Sequence, residues 1–145
     1  MLRGNYPATV DPKGRLKIPA AYLEALREQG NQFFVTSENG DYVRIYPMKY
    51  WAGIEEKLEK LSSHNRTKQK FLARANYYGQ VVELDAQGRI LVQPLLREAA
   101  QMKGEVDVLG ALNYLEVWNH ARFLEKMNSS PITEDDEKTL DELGI

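Results

Sequence analysis

Two short stretches hold the residues best placed to do chemistry. Asp11-Pro12-Lys13-Gly14-Arg15 runs straight into Leu16-Lys17-Ile18-Pro19, and Asp85-Ala86-Gln87-Gly88-Arg89 runs into Ile90-Leu91-Val92-Gln93-Pro94. Each places an arginine four residues after an aspartate, and the copies stand 74 positions apart. Val10, Leu16 and Ile18 are strand-type residues flanking the first copy. Pro12 presets φ for the second position of a tight turn, and Gly14 supplies a positive φ. The stretch therefore predicts the tip of a β-hairpin, with Asp11 opening the turn and Arg15 leaving it. A stiff tip of this kind holds Lys13 and Arg15 out towards something anionic and grooved. The plainer alternative is an Asp–Arg pair that only staples its own turn, which turn chemistry favours for a single copy. Duplication together with the downstream context tips the balance the other way.

Other chemistries find little support. The 145 residues include no Cys, so there is neither a disulfide framework nor a thiolate zinc site. The two histidines, His64 and His120, fall in a loop and at a helix start, where solvent or capping roles are expected. No His–carboxylate spacing suggests a metal, and no Gly-rich loop suggests a nucleotide. Asp11 and Asp85 as paired acids rest on symmetry alone. An enzyme needs a nucleophile, a base and an orienting group converging, so no catalytic, cofactor or metal residues are expected.

The formal net charge is -2, which argues against nucleic acid until its distribution is read. From Asn128 onward there are six acids and one base, leaving 18 Lys and Arg against 15 Asp and Glu in the rest. Arg3, Lys13, Arg15 and Lys17 face only Asp11 in the first 22 residues. Local charge, not the total, sets a phosphate-binding surface. The N-terminus lacks the apolar run of a signal peptide, and no segment nears the ~20 apolar residues of a membrane span. A soluble cytoplasmic protein is the expectation.

The elements that would position the turns follow from periodicity. Arg3 and Gly4 form an arm, mobile or sharply turned, and Tyr6 and Val10 are the inward residues of the first strand. Pro19 opens a helix with Tyr22, Leu23 and Leu26 on one face and Gly30 as its stop. Phe33 to Val35 and Tyr42 to Tyr46 read as strands joined at Glu38-Asn39-Gly40-Asp41, where Asn-Gly favours a two-residue loop. Pro47 opens a second helix carrying Trp51, Ile54, Leu58 and Leu61, and a basic helix, Arg66 to about Ala75, follows a polar break. That helix reads as a solvated link rather than a DNA contact.

The pattern then repeats. Val81 to Leu84 and Ile90 to Val92 are strands, Pro94 to Ala100 a helix ended at Gly104, and Val106 to Leu109 and Tyr114 to Trp118 strands. Asn119 caps a helix to about Met127. Repetition this regular implies two equivalent β-rich units related by pseudo-symmetry. The tail from Ser129 is read as loosely attached, with Thr133 able to start a short helix.

With both motifs placed, the chain resembles a known family. Asp-x-x-Gly-Arg-Leu-x-Ile-Pro followed by a short helix is similar to the half-barrel unit of the AbrB, SpoVT and MazE transcription factors. Two units in one chain, with Arg3-Gly4 at the start and Val117-Trp118 near the end, resemble the MraZ family over roughly residues 1 to 127. The resemblance implies an α+β, mainly β fold: a swapped-hairpin β-barrel built from two internal repeats with short flanking helices. It divides the chain into a first SpoVT-AbrB-type half (5-50), linking helices (51-76), a second half (77-123) and an acidic tail (128-145).

The resemblance also implies a nucleoid-associated DNA-binding repressor of the division and cell-wall gene cluster. It would bind G-rich direct repeats of its own promoter as a homo-oligomeric ring, without cofactor or membrane. Carried over, Arg15 and Arg89 hold the arginine positions, Lys13 the basic turn position and Arg3 the N-terminal basic position. Asp11, Gly14, Asp85 and Gly88 complete the motifs. Gln87 stands where the first turn has Lys13, so the halves are expected to contribute unequally. Ile18-Pro19 becomes Val92-Gln93 with the proline displaced to Pro94, so the two helix starts need not coincide. Ring contacts need apolar surface, for which Tyr42, Tyr46, Trp51, Tyr114, Trp118 and Phe123 are the candidates, most of them expected in the chain's own core. The alternatives are a MazE-like antitoxin, whose tail wraps a toxin, and a barrel enzyme of related topology.

Overall fold

The computed structural model describes residues 1–145. The first half of the chain folds as β1 (Asn5–Val10), β2 (Arg15–Lys17), α1 (Ala20–Glu28), β3 (Gln32–Thr36), β4 (Val43–Pro47) and α2 (Met48–Glu59), with α3 (Arg66–Tyr78) leading on. The second half follows as β5 (Gln80–Glu83), β6 (Arg89–Leu91), α4 (Pro94–Ala99), β7 (Gly104–Gly110), β8 (Leu115–Asn119), α5 (His120–Ser129) and α6 (Glu134–Glu142). All eight strands form one antiparallel sheet in the order β5-β3-β4-β8-β7-β1-β2-β6. The chain turns directly from β5 into β6, where the Asp85 N–H donates to the Arg89 carbonyl, so the two ends of the sheet meet in a nearly closed barrel. The fold is α+β and mainly β, as the resemblance implies. No helix is long and apolar enough to cross a membrane.

Strand exchange explains the closure. β1 pairs with β7 from Asn5↔Leu109 to Val10↔Gly104, and β5 pairs with β3 in the equivalent way. The pairs β2–β6 and β4–β8 join like to like and mark the pseudo-twofold axis, with Leu16 opposite Ile90 and Arg44 opposite Glu116. A period-2 strand puts alternate residues on opposite faces. Leu16, Ile18, Ile90 and Val92 therefore point into the core with Leu26, Phe33, Ile45, Leu96, Val106, Val108 and Val117, all buried. Arg15, Lys17, Arg89 and Leu91 are left on the outer face. A second cluster forms where α2 and α3 cover β3 and β4: Trp51 stacks on Phe34 at 4.6 Å and on Phe71 at 6.0 Å between ring centres.

Several expectations are corrected. Tyr6 shares the inward parity of Ala8 and Val10 but stands at the strand's outer end, 41% exposed, edge-on to Tyr22. Asn39-Gly40 is not a two-residue hairpin loop. It sits inside the longer loop 37–42, where Ser37 Oγ accepts from the Gly40 N–H and Asn39 Oδ1 from the Asp41 N–H. α4 ends at Ala99, within a residue of the expected Ala100, but Gly104 is not its stop: Gln101 takes the left-handed position (φ 53) and the Met102 N–H closes back on the Arg97 carbonyl. Gly104 instead opens β7. α3 runs on to Tyr78, three residues past the expected end.

Pro19 and Gln93 occupy equivalent cap positions, so α1 and α4 start in register despite the displaced proline. Of the aromatic residues weighed for a ring surface, Tyr42, Tyr46, Trp51 and Trp118 are buried in the chain itself.

Candidate nucleic-acid interface

The first turn is built around one carboxylate. Asp11 Oδ1 accepts from the N–H groups of Lys13 (3.0 Å) and Arg15 (2.8 Å), and Oδ2 accepts from Arg15 Nε at 2.7 Å. Gly14 closes the turn at φ 86. The second turn repeats this: Asp85 Oδ1 takes the N–H groups of Gln87 and Arg89, both at 2.9 Å, and Oδ2 takes Arg89 Nε at 2.9 Å. Gly88 sits at φ 76. Donation to the charged carboxylate stabilises its ionised form. The Arg15 N–H first, then its guanidinium, holds Asp11 below the usual carboxylate range, and Arg89 does the same for Asp85.

Each turn is also tied across the pseudo-axis. The Val92 N–H donates to the Gly14 carbonyl and the Ile18 N–H to the Gly88 carbonyl, both at 2.9 Å. The two tips thus flank the short β2–β6 ribbon. At ~3.4 Å per residue its three residues span about 10 Å, comparable to the ~12 Å width of the B-DNA major groove.

Arg15 and Arg89 are neither buried nor loose. Their side chains are 34% and 26% exposed, and each is anchored by Nε to its own aspartate. The anchor occupies one edge of the guanidinium and leaves the Nη edge of Arg15 without a protein partner; Arg89 Nη1 stands 4.0 Å from Asp11 Oδ2. An arginine already held by one edge loses less side-chain freedom when the other edge binds. Register places Arg15 opposite Leu91 and Lys17 opposite Arg89. The outer face of the ribbon is therefore three cations and one exposed leucine. Lys17 counts in the local basic excess of the sequence but not among its expected DNA contacts, although the Arg15-Leu16-Lys17 alternation places it on the same face as Arg15.

The other residues fall in different places. Lys13 is exposed at the first tip, with Gln87 its counterpart. Arg3 lies beyond the far end of β1, where Leu2 bridges Leu112, the Gly110 N–H donates to the Gly4 carbonyl, and Tyr22 Oη donates to the same oxygen at 2.6 Å. Six strand residues, roughly 20 Å at ~3.3 Å each, separate it from the turn. The arm is turned and tied down, but it does not join the ribbon patch.

Sequence reasoning also missed Arg97. It packs on Gly14 from α4 and has a buried Nη1 without a hydrogen-bond partner, where Leu23 packs on Gly88 in the other half. His120 is neither a cap nor a free histidine: its Nδ1 stands 2.7 Å from the carboxylate of buried Asp107.

Comparison with known proteins bears on the same residues. The family description "MraZ protein, putative antitoxin-like" matches residues 1–74 and 79–143. The chain is similar to the transcriptional regulator MraZ of Acidobacterium capsulatum, with 50% identity over the whole of both chains. It is similar to that of Koribacter versatilis at 51% and that of Caldicellulosiruptor bescii at 34%, again end to end.

Proposed function

The chain belongs to the MraZ family, and on that premise we propose that it is a transcriptional regulator that grips DNA through the β2–β6 ribbon. The observation that carries this reading is the pair of clamped arginines, Arg15 and Arg89, set diagonally across the outer face of a stiff two-stranded ribbon. A two-stranded ribbon fits the major groove, and an arginine presenting two N–H groups there can bond guanine O6 and N7, worth about 1–3 kcal/mol of discrimination. Arg15 and Arg89 read guanine, while Lys13 and Lys17 contact phosphates, which adds affinity without sequence preference. Arg3, at the far end of β1, reaches phosphate further along the duplex. Asp11 and Asp85 set the arginine geometry, and Gly14 and Gly88 allow the turns to close.

So few cations per chain give weak binding to one site. A ring that sets several subunits on successive G-rich direct repeats raises the avidity by about 10²–10⁴ through effective concentration. The repeats belong to the protein's own promoter, ahead of the division and cell-wall genes, and occupancy there represses transcription. The enzyme alternative gives way to a family whose relatives are named as transcriptional regulators. The reading is tested by a mobility-shift titration at fixed salt. The DNA is that just upstream of this reading frame, against the same fragment with its guanines replaced. Preference for the native fragment is the expected result; equal binding to both removes the guanine-reading role.

A further inference from the structure

α6 and α3 carry opposite charge, and neither is neutralised within the chain. α6 holds Glu134, Asp135, Asp136, Glu137, Asp141 and Glu142 against Lys138. Its start is fixed by a capping box in which Thr133 and Asp136 bond reciprocally, so it is a defined helix. Yet no residue of it is buried, and none of its acids forms an ion pair. Leu143 is 70% and Ile145 79% exposed beside those acids. Such a helix has an unpaired acidic face and an apolar edge, half-buried at Leu140 and open at Leu143.

α3 is the complement. Arg66, Lys70 and Arg74 recur every four residues, which aligns them on one face. The helix contains no acid, and none of its cations is ion-paired. Alongside the stripe runs a groove of about 460 Å³ lined by Lys70 and Arg74, with Phe71 and Trp51 as apolar wall and Arg44 at its floor, already paired with Glu38 at 2.9 Å. α3 packs on β3, whereas the helix that carries α6, α5, packs on β7 and β8 beyond the intervening β4.

We propose that the α6 helix of one chain docks along the α3 groove of a second copy, setting its acids on Arg66, Lys70 and Arg74 and its Leu140–Leu143 edge against Phe71. Donor and acceptor are different surfaces, so the contact is head-to-tail, and repetition of such a contact closes a ring when the rotation permits. The inference rests on the ring reading and names the surfaces that build the ring. It also gives the acidic tail a place: the acids that weaken DNA attraction on the free chain are spent on the neighbour's α3 in the assembly.

Light scattering on the full chain, across concentration and at low salt, tests it. Removal of residues 131–145, or Arg66→Glu with Lys70→Glu and Arg74→Glu, is expected to raise the assembly midpoint about tenfold or more. Combining that α3 triple variant with Glu134→Lys, Glu137→Lys and Asp141→Lys is expected to restore the wild-type midpoint, which a misfolded variant could not do. An unchanged mass after tail removal overturns the inference while leaving the ring intact. Unchanged mass with lost DNA binding in the α3 triple variant makes α3 a DNA surface and overturns it as well. A wild-type chain that stays monomeric at all concentrations overturns the ring reading, and this inference with it.

Discussion

The turn at residues 11–15 and the turn at 85–89 share a backbone and differ in what surrounds it. In both, one carboxylate takes two N–H groups and one guanidinium edge, and a glycine with positive φ closes the loop. Beside the first stand Lys13, Leu91 and Arg97; at the matching places beside the second stand Gln87, Lys17 and Leu23. Asp11 also has Arg89 Nη1 at 4.0 Å, while Arg15 makes no matching approach to Asp85. The aspartate–arginine scaffold that aims the guanidinium is thus common to both, and the added cations differ in place: Lys13 at the tip and Arg97 behind it at the first, Lys17 on the ribbon beside the second. On the proposed reading, specificity and affinity are carried by separable residues.

The comparison can be pressed at several depths. The largest effect is expected where the halves are alike. Leu16 and Ile90 meet across the pseudo-axis, both fully buried, so Leu16→Ala and Ile90→Ala should each cost about 2–5 kcal/mol of stability in denaturant titrations. A large loss at one and none at the other would break the symmetry on which the comparison stands.

Next come the glycines. Alanine at a left-handed position costs about 1–2 kcal/mol. Gly88→Ala should show roughly that, because its nearest neighbour is a Leu23 methyl at 3.2 Å from the added carbon. Gly14→Ala should cost more, since the added carbon meets the Arg97 guanidinium and stands 2.9 Å from the Val92 carbonyl. Equal losses would show that Arg97 yields freely.

A smaller effect separates the tips electrostatically. Lys13→Ala should lower the salt slope of DNA binding by about 0.9, the value for one phosphate contact. Gln87→Ala should leave the slope alone, and Gln87→Lys should raise it.

The smallest effects are in pH. Both turn aspartates have folded-state pKa values below 3.8. Their contribution to stability is therefore present above 3.8 and is lost as pH falls through the folded values. Asp11→Asn and Asp85→Asn should each flatten the acid limb of melting temperature against pH. His120 runs the opposite way, because the Asp107 carboxylate raises its pKa above 6.5. Its contribution is full below 6.5 and fades as pH rises through the folded value, so His120→Gln should flatten the limb above neutrality.

Much of this was legible in the chain. Alternation of Leu16 and Ile18 with Arg15 and Lys17 specifies which residues enter the core, and the repeat specifies the pseudo-axis. Turn chemistry is local, so Asp11, Gly14, Asp85 and Gly88 fall where their residue types require. What escaped depends on long-range pairing. Only the β1–β7 ladder shows that Arg3 and Arg15 lie at opposite ends of one strand. Only the docking of α4 on the first turn brings Arg97 to Gly14. Likewise, the loop 37–42 outgrew its Asn-Gly signal because the β3–β4 ladder stops at Thr36↔Arg44.

The central claim is that Arg15 and Arg89 read guanine from a shared ribbon while the surrounding cations supply attraction. Binding titrations of Arg15→Ala and Arg89→Ala, at one salt concentration, on tandem G-rich repeats and on the same DNA with those guanines changed to adenine, test it most directly. Each variant should lose about 10- to 100-fold on the G-rich repeats and far less on the changed DNA. An equal loss on both, or none on either, would contradict the account.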